Sequence, residues 1–154
     1  AAQALTSHFL DTAQRRYEKE RQPKMLARAS EYIGILTDGR YTLDTEAAPE
    51  ALYLVDNTND RVPPTRWSSG LADQVYLALR LSLAKVFSER VESLPIILDD
   101  ILVRFDEERQ RAALKLLAHI GKTEQVLVFT CHNGTYELAK TVDGIDCYAL
   151  NGAE

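Results

Sequence analysis

The sequence predicts an α/β fold, a mostly parallel sheet with flanking helices, preceded by the root of a coiled coil. Three observations lead there. From Trp67 onward, helical apolar patterns alternate with short apolar runs, the order expected of strands joined by crossover helices. Residues 94–98 form an apolar run ending in two adjacent carboxylates, Asp99 and Asp100. A bounded run of that length fits a strand covered on both faces, and open α/β sheets place their ligands outside the carboxyl ends of such strands. Upstream, residues 3–21 are polar and helix-favouring, with Leu5, Phe9, Ala13 and Tyr17 spaced four apart as a narrow apolar stripe.

The elements follow in order. Pro23 suits the first turn of a new helix, and Met25, Leu26, Ala29, Ile33 and Leu36 give that helix a buried face; with residues 3–21 it makes a kinked pair. Asp38 and Gly39 turn the chain into a strand at 40–43, and 52–55 is a second strand leading into the polar loop 56–65. These two strands form a small antiparallel element. Residues 71–87 are apolar nearly all round, as in a helix packed on more than one side. There follow a strand at 96–98 and a helix at 107–119 with Ala113, Leu114, Leu117 and Ile120 along one face. A strand at 126–129, a short helix at 136–140 and a strand at 147–150 complete the order.

At 154 residues the chain fits one domain with its own core. Its net charge of −5 argues against a surface that grips nucleic acid throughout, so any DNA contact must be local. Cys131 and Cys147 have neither the paired spacing of a zinc site nor the density of a disulfide framework, and a reducing cytoplasm is the simplest compartment. No apolar run approaches the roughly 20 residues of a membrane span, and residues 1–6 lack the pattern of a signal peptide. No membrane partner is expected. The start inside a helix-like segment, without an initiator methionine, is compatible with a fragment.

Three motifs carry chemistry. An acid at a strand end can hold the water shell of Mg²⁺ while its neighbour orients or deprotonates a water, so Asp99 and Asp100 suit phosphoryl transfer; the plainer reading is that they open a polar loop. His132 leaves the 126–129 strand through Thr130 and Cys131 and is expected at the same edge, where its ring can donate to a phosphate oxygen. Ser68, Ser69 and Gly70 precede the apolar helix, where free N–H groups favour an anion; either serine can instead simply cap it. Asp106, before Glu107 and Glu108, reads alone as an N-cap. Gly121-Lys122-Thr123 spells the end of a phosphate loop, but Leu116 stands where its earlier glycine belongs and the triplet leads from helix to strand, the wrong order. Nowhere does the chain contain G-x-x-x-x-G-K-[ST].

In order and separation, these motifs resemble the C-terminal lobe of an ATP-binding-cassette head of the SMC, SbcC and RecF class, the C-terminal half of a P-loop NTPase. Trp67-Ser68-Ser69-Gly70 through Gln74 is similar to the signature, Ile96-Ile97-Leu98-Asp99-Asp100 to the Walker B strand, Phe105-Asp106 to the D-loop, and Thr130-Cys131-His132 to the switch histidine. The nearest resemblance is to the bacterial YhaN-like coiled-coil ATPases assigned to DNA repair, through Leu36-Thr37-Asp38-Gly39-Arg40-Tyr41, residues 73–81 and Leu98-Asp99-Asp100-Ile101. Ser69 stands in place of the first signature glycine, Trp67 in place of its leucine, and Asp100 in place of the usual glutamate, one methylene shorter.

The resemblance implies residues 1–25 as the end of a coiled-coil helix and 26–154 as the ATPase lobe. It implies that Asp99 binds Mg²⁺ through water, Asp100 polarises the attacking water and His132 contacts the γ-phosphate. Ser68, Ser69, Gly70 and Asp106 would bind nucleotide, Ser68 and Gly70 serving a second head. ATP and Mg²⁺ then require an N-terminal ATPase lobe carrying the phosphate loop, and two heads sandwich ATP as a homodimer. DNA and a nuclease subunit are further partners it admits. The full-length protein would be an ATPase and this chain alone inactive. Two other classes compete: a Mg²⁺-dependent phosphohydrolase or nuclease built from Asp99, Asp100, Asp106 and His132, and a non-catalytic dimerisation module. A missing lobe would leave an apolar flank of the sheet exposed.

Overall fold

The computed structural model describes residues 22–45, 51–89 and 94–150. The expected coiled-coil stripe at 3–21 lies outside the described residues. Helix α1, Gln22–Leu36, carries Pro23 in its first turn and buries Leu26, Ala29, Tyr32, Ile33 and Leu36, a three-to-four spacing that makes one face. It closes on a left-handed pair, Asp38 at φ +53° and Gly39 at φ +72°, with the Gly39 amide donating 2.7 Å to the Gly34 carbonyl. That bond satisfies a helix-end carbonyl and reverses the chain. Thr37 fixes the reversal, its hydroxyl donating to the Ile33 carbonyl at 2.7 Å and accepting from the Tyr41 amide at 3.2 Å.

Strands β1, Tyr41–Leu43, and β2, Leu54–Asp56, pair antiparallel as the sequence predicts, and a third strand, β3, Arg61–Val62, adds to β2. β3 falls inside the expected polar loop. Two residues with one apolar side chain give no periodicity to read. Its turn is built by Asp56, whose Oδ1 accepts from the amides of Thr58 at 2.9 Å and Asp60 at 3.0 Å. Arg61 reaches across the sheet to Asp44 at 2.6 Å.

Helix α2, Ser69–Ser88, packs chiefly on α1. Its burial is less complete than expected: Leu71, Val75, Ala78 and Leu81 are buried, but Tyr76 and Phe87 are half-exposed or more among the described residues. Inside the contact, buried Gln74 donates its side-chain amide to the Leu36 carbonyl at 2.5 Å, so the last turn of α1 keeps a hydrogen-bond partner away from water. Fully burying residues such as Ile33, Leu81 and Leu114 stabilises the core by about 1.5–3 kcal/mol each.

The second half holds β4, Ile96–Asp99, helix α3, Glu107–Gly121, β5, Val126–Phe129, and helix α4, Asn133–Ala139. β4 and β5 are parallel, in register from Ile96 opposite Val126 to Asp99 opposite Phe129. The sequence expectation needs two corrections here. Residues 147–150 form no strand, with Tyr148 and Leu150 largely exposed, so the parallel sheet of the described residues has two strands, not more. Nor is β4 covered on both faces: Ile97 is 62% exposed and Leu94 72%. An apolar run reports that a strand suits burial; it cannot report what covers it. Among the described residues no helix is long and apolar enough to cross a membrane.

Candidate functional site

Asp100 follows directly on β4 in an unusual backbone state. Its amide continues the ladder, donating 2.9 Å to the Phe129 carbonyl, but its φ is +47°, a region Asp tolerates better than most side chains. The twist aims its carboxylate at the loop that leaves β5. Oδ1 accepts from the Cys131 amide at 3.2 Å, and Oδ2 lies 3.2 Å from the Cys131 thiol, which donates to it. The Thr130 hydroxyl, then the Cys131 thiol and amide, stabilise the charged form and hold the Asp100 carboxyl below its ordinary range. The same contact works in reverse on Cys131: the hydrogen bond and charge of Asp100 push its thiol up.

His132 sits beside this pair. A ligating atom from each of Asp100, Cys131 and His132 lies within 4.8 Å of the others. The His132 amide donates to the Thr130 hydroxyl at 3.1 Å and its carbonyl accepts from Tyr136 at 3.1 Å, so one residue closes the β5 turn and opens α4. Cys131 and His132 also line an open cleft of about 760 Å³ that runs past Glu107, Arg111 and Asn133. Asp99 is exposed at the carboxyl end of β4. The two acids and the histidine thus meet at one sheet edge, because parallel strands in register end together.

The other motifs are held by contacts of their own. Ser68 caps α2, its hydroxyl accepting from the Leu71 amide at 3.2 Å; Ser68 and Ser69 are exposed and Gly70 is buried. Asp106 caps α3, accepting from the Arg109 amide at 2.9 Å and from its guanidinium at 2.8 Å. That guanidinium lies against Gly70, so Arg109 joins the Asp106 turn to the start of α2. Arg104 reaches Asp73 of the same helix at 3.5 Å. Among the described residues no hydrogen bond links Ser68, Ser69 or Asp106 to Asp99, Asp100 or His132.

Sequence reasoning passed over Cys131, Arg104 and Arg109. Cys131 was legible only as a spacer before His132, although it stands in the loop directly after the strand opposite Asp99. Arg109 carried the one usable signal, its spacing three residues after Asp106.

No protein-family model matches the chain. In sequence it is similar to the uncharacterized protein YhaN of Bacillus subtilis (strain 168), 33% identical over 119 residues; these are 76% of this chain and 12% of YhaN. In structure it is similar to the SMC head domain from Thermotoga maritima, with a TM-score of 0.61 and 19% identity over 84% of this chain and 46% of that one. A chain from work on ATP-driven dimerization and DNA-stimulated activation of SMC ATPases gives 0.61 at 16% identity, covering 92% of this chain and 89% of its own. The fold is that of part of an SMC head domain. An Smc head bound to the C-winged helix domain of ScpA matches the same SMC-head fold at 0.55, with 15% identity over 75% of this chain and 36% of that head. The chain therefore combines an SMC-head fold with YhaN-like sequence, and it spans about an eighth of YhaN's length.

Proposed function

We propose that this chain is the distal lobe of an SMC/SbcC-like ATPase, binding and hydrolysing ATP at a head–head interface, in DNA repair or recombination. One observation carries the reading: Asp99, Asp100 and His132 leave two parallel strands at the same edge, where phosphoryl-transfer sites gather acids and phosphate donors. The residues at this edge fit Mg²⁺ on a nucleotide phosphate. Mg²⁺ keeps much of its water and takes one or two carboxylates beside substrate phosphates, and Asp99 is exposed at that edge. When bound, Mg²⁺ supplies charge neutralisation on the phosphates.

In this reading Asp99 holds the metal through water, and Asp100, kept ionised by its three donors, orients the attacking water. His132 donates to the γ-phosphate. Ser68, Ser69, Gly70 and Asp106 bind nucleotide, Ser68 and Gly70 serving a second head. The N-terminal ATPase lobe would cover Ile97, Leu127, Val128 and Phe129, the exposed apolar residues of the β4–β5 pair. A nuclease using Asp106 with Asp99, Asp100 and His132 is less well supported, because Asp106 is engaged with Arg109.

The test is reconstitution. The chain alone is expected to be inactive, and addition of a lobe carrying G-x-x-x-x-G-K-[ST] to restore ATP turnover. Asp100→Ala in the reconstituted head is expected to cost about 10²- to 10⁴-fold, the usual loss for a general base. Turnover by the isolated chain would sink the proposal.

A further inference from the structure

We infer that Asp100, Cys131 and His132 form a binding site for a zinc-like transition-metal ion, distinct from a Mg²⁺ position at Asp99. Asp100 and Cys131 are 31 residues apart in sequence, and the parallel register of β4 and β5 brings them together. Their ligating atoms lie within 4.8 Å of one another, and the Asp100 carboxylate is already 3.2 Å from the Cys131 sulfur. Zinc takes Cys sulfur at about 2.3 Å and His nitrogen or carboxylate oxygen at about 2.0–2.2 Å, so tetrahedral donors sit roughly 3.4–3.6 Å apart.

The donor chemistry selects the ion. A thiolate, an imidazole and one carboxylate suit Zn²⁺, Co²⁺ or Cu²⁺, whereas Mg²⁺ prefers oxygen and keeps its water. Three protein ligands leave a fourth position for water, as in open zinc sites, and Cys131 and His132 border the open cleft from which it enters. Binding exchanges the thiol proton, now donated to Asp100, for the metal; the proton leaves to solvent. The site does not depend on the ATPase reading. An ion held there occupies Asp100 and His132, so its binding and the roles proposed above for these two side chains are mutually exclusive states of the same site.

Co²⁺ titrated into the 154-residue chain under reducing conditions reports the site directly. A near-ultraviolet thiolate-to-cobalt charge-transfer band is expected, with one ion bound per chain. Cys131→Ser should abolish the band while Cys147→Ser keeps it. Asp100→Asn and His132→Ala should each weaken binding by roughly tenfold or more, the lower end of the loss seen even for outer partners of a bound metal. Circular dichroism checks that each variant stays folded. Absence of the band in the unmodified chain, its survival in Cys131→Ser, or affinity unchanged by His132→Ala overturns the inference.

Discussion

The guanidinium of Arg109 occupies the space that a side chain at position 70 would need: a Cβ built on Gly70 falls 2.5 Å from its Nη1. Because the same guanidinium also binds Asp106 at 2.8 Å, the start of α2 and the start of α3 share one cation. Gly70→Ala should therefore push Arg109 off Asp106. Helix propensity alone favours alanine by about 1 kcal/mol, so a loss of stability in Gly70→Ala reports the displaced arginine. In an Arg109→Ala background that loss should vanish, with an interaction energy of roughly 0.5–3 kcal/mol by urea denaturation. Additive effects would contradict the contact.

The Asp100–Cys131 hydrogen bond predicts a quiet thiol. Since Asp100 pushes the Cys131 thiol up and only the thiolate is nucleophilic, alkylation of this exposed cysteine near pH 8 should be slow. Asp100→Asn removes the negative charge and should accelerate it severalfold, read by mass spectrometry at Cys131 with Cys147 as the internal comparison. An unchanged rate would show that the pair does not persist in solution.

The same contact sets a pH dependence of the opposite sign for the acid. The Asp100 carboxyl lies below its ordinary 3.8 when folded, so its hydrogen bonds stabilise the folded state above that ordinary value. This stabilisation is lost as pH falls through the lowered value. A carboxyl-carbon NMR titration should give Asp100 a midpoint under 3.8; a midpoint at or above it would place its donors elsewhere.

Gln74 predicts a stability effect unconnected with chemistry. Its side-chain amide is buried and donates to the Leu36 carbonyl, so Gln74→Ala leaves a buried helix-end carbonyl short of a partner. The expected cost is about 1–3 kcal/mol, seen as a lower denaturation midpoint with an unchanged slope.

At the far end of α2, Lys85 pairs with buried Glu124, which also accepts from Ser88 at 3.2 Å. The two side chains are 15% and 6% exposed. Lys85→Ala removes the paired cation from a buried carboxylate and should cost about 3–5 kcal/mol. Replacing both residues by Met and Leu should cost less, because the carboxylate leaves together with its cation. Equal losses would show that the pair contributes by packing alone.

Much of this architecture was readable beforehand. Pro23 and the Leu26–Ala29–Ile33–Leu36 spacing announce α1, Asp38-Gly39 announces the turn, and the run into Asp99 and Asp100 announces β4. Each is a local preference acting within a few residues, the scale on which sequence pattern speaks. β3 and the unformed strand at 147–150 were not readable, because a strand needs a neighbour to bond to and the sequence does not name one.

By itself, the sequence determined which residues stand at the ends of β4 and β5, since an apolar run followed by polar side chains fixes where a strand leaves the core. It also marked Asp106 as an N-cap and offered Ser68 or Ser69 as a cap, of which the structure uses Ser68. Only the tertiary structure decided which of these residues meet. The parallel register put Asp100 on Cys131 rather than on Asp106, and the positive φ at Asp100 turned its carboxylate toward the β5 loop. The packing of both α2 and α3 on α1 set Arg109 over Gly70. Such contacts depend on strand pairing and helix docking between distant segments, where the relevant energy is shared across the fold and written at no single position.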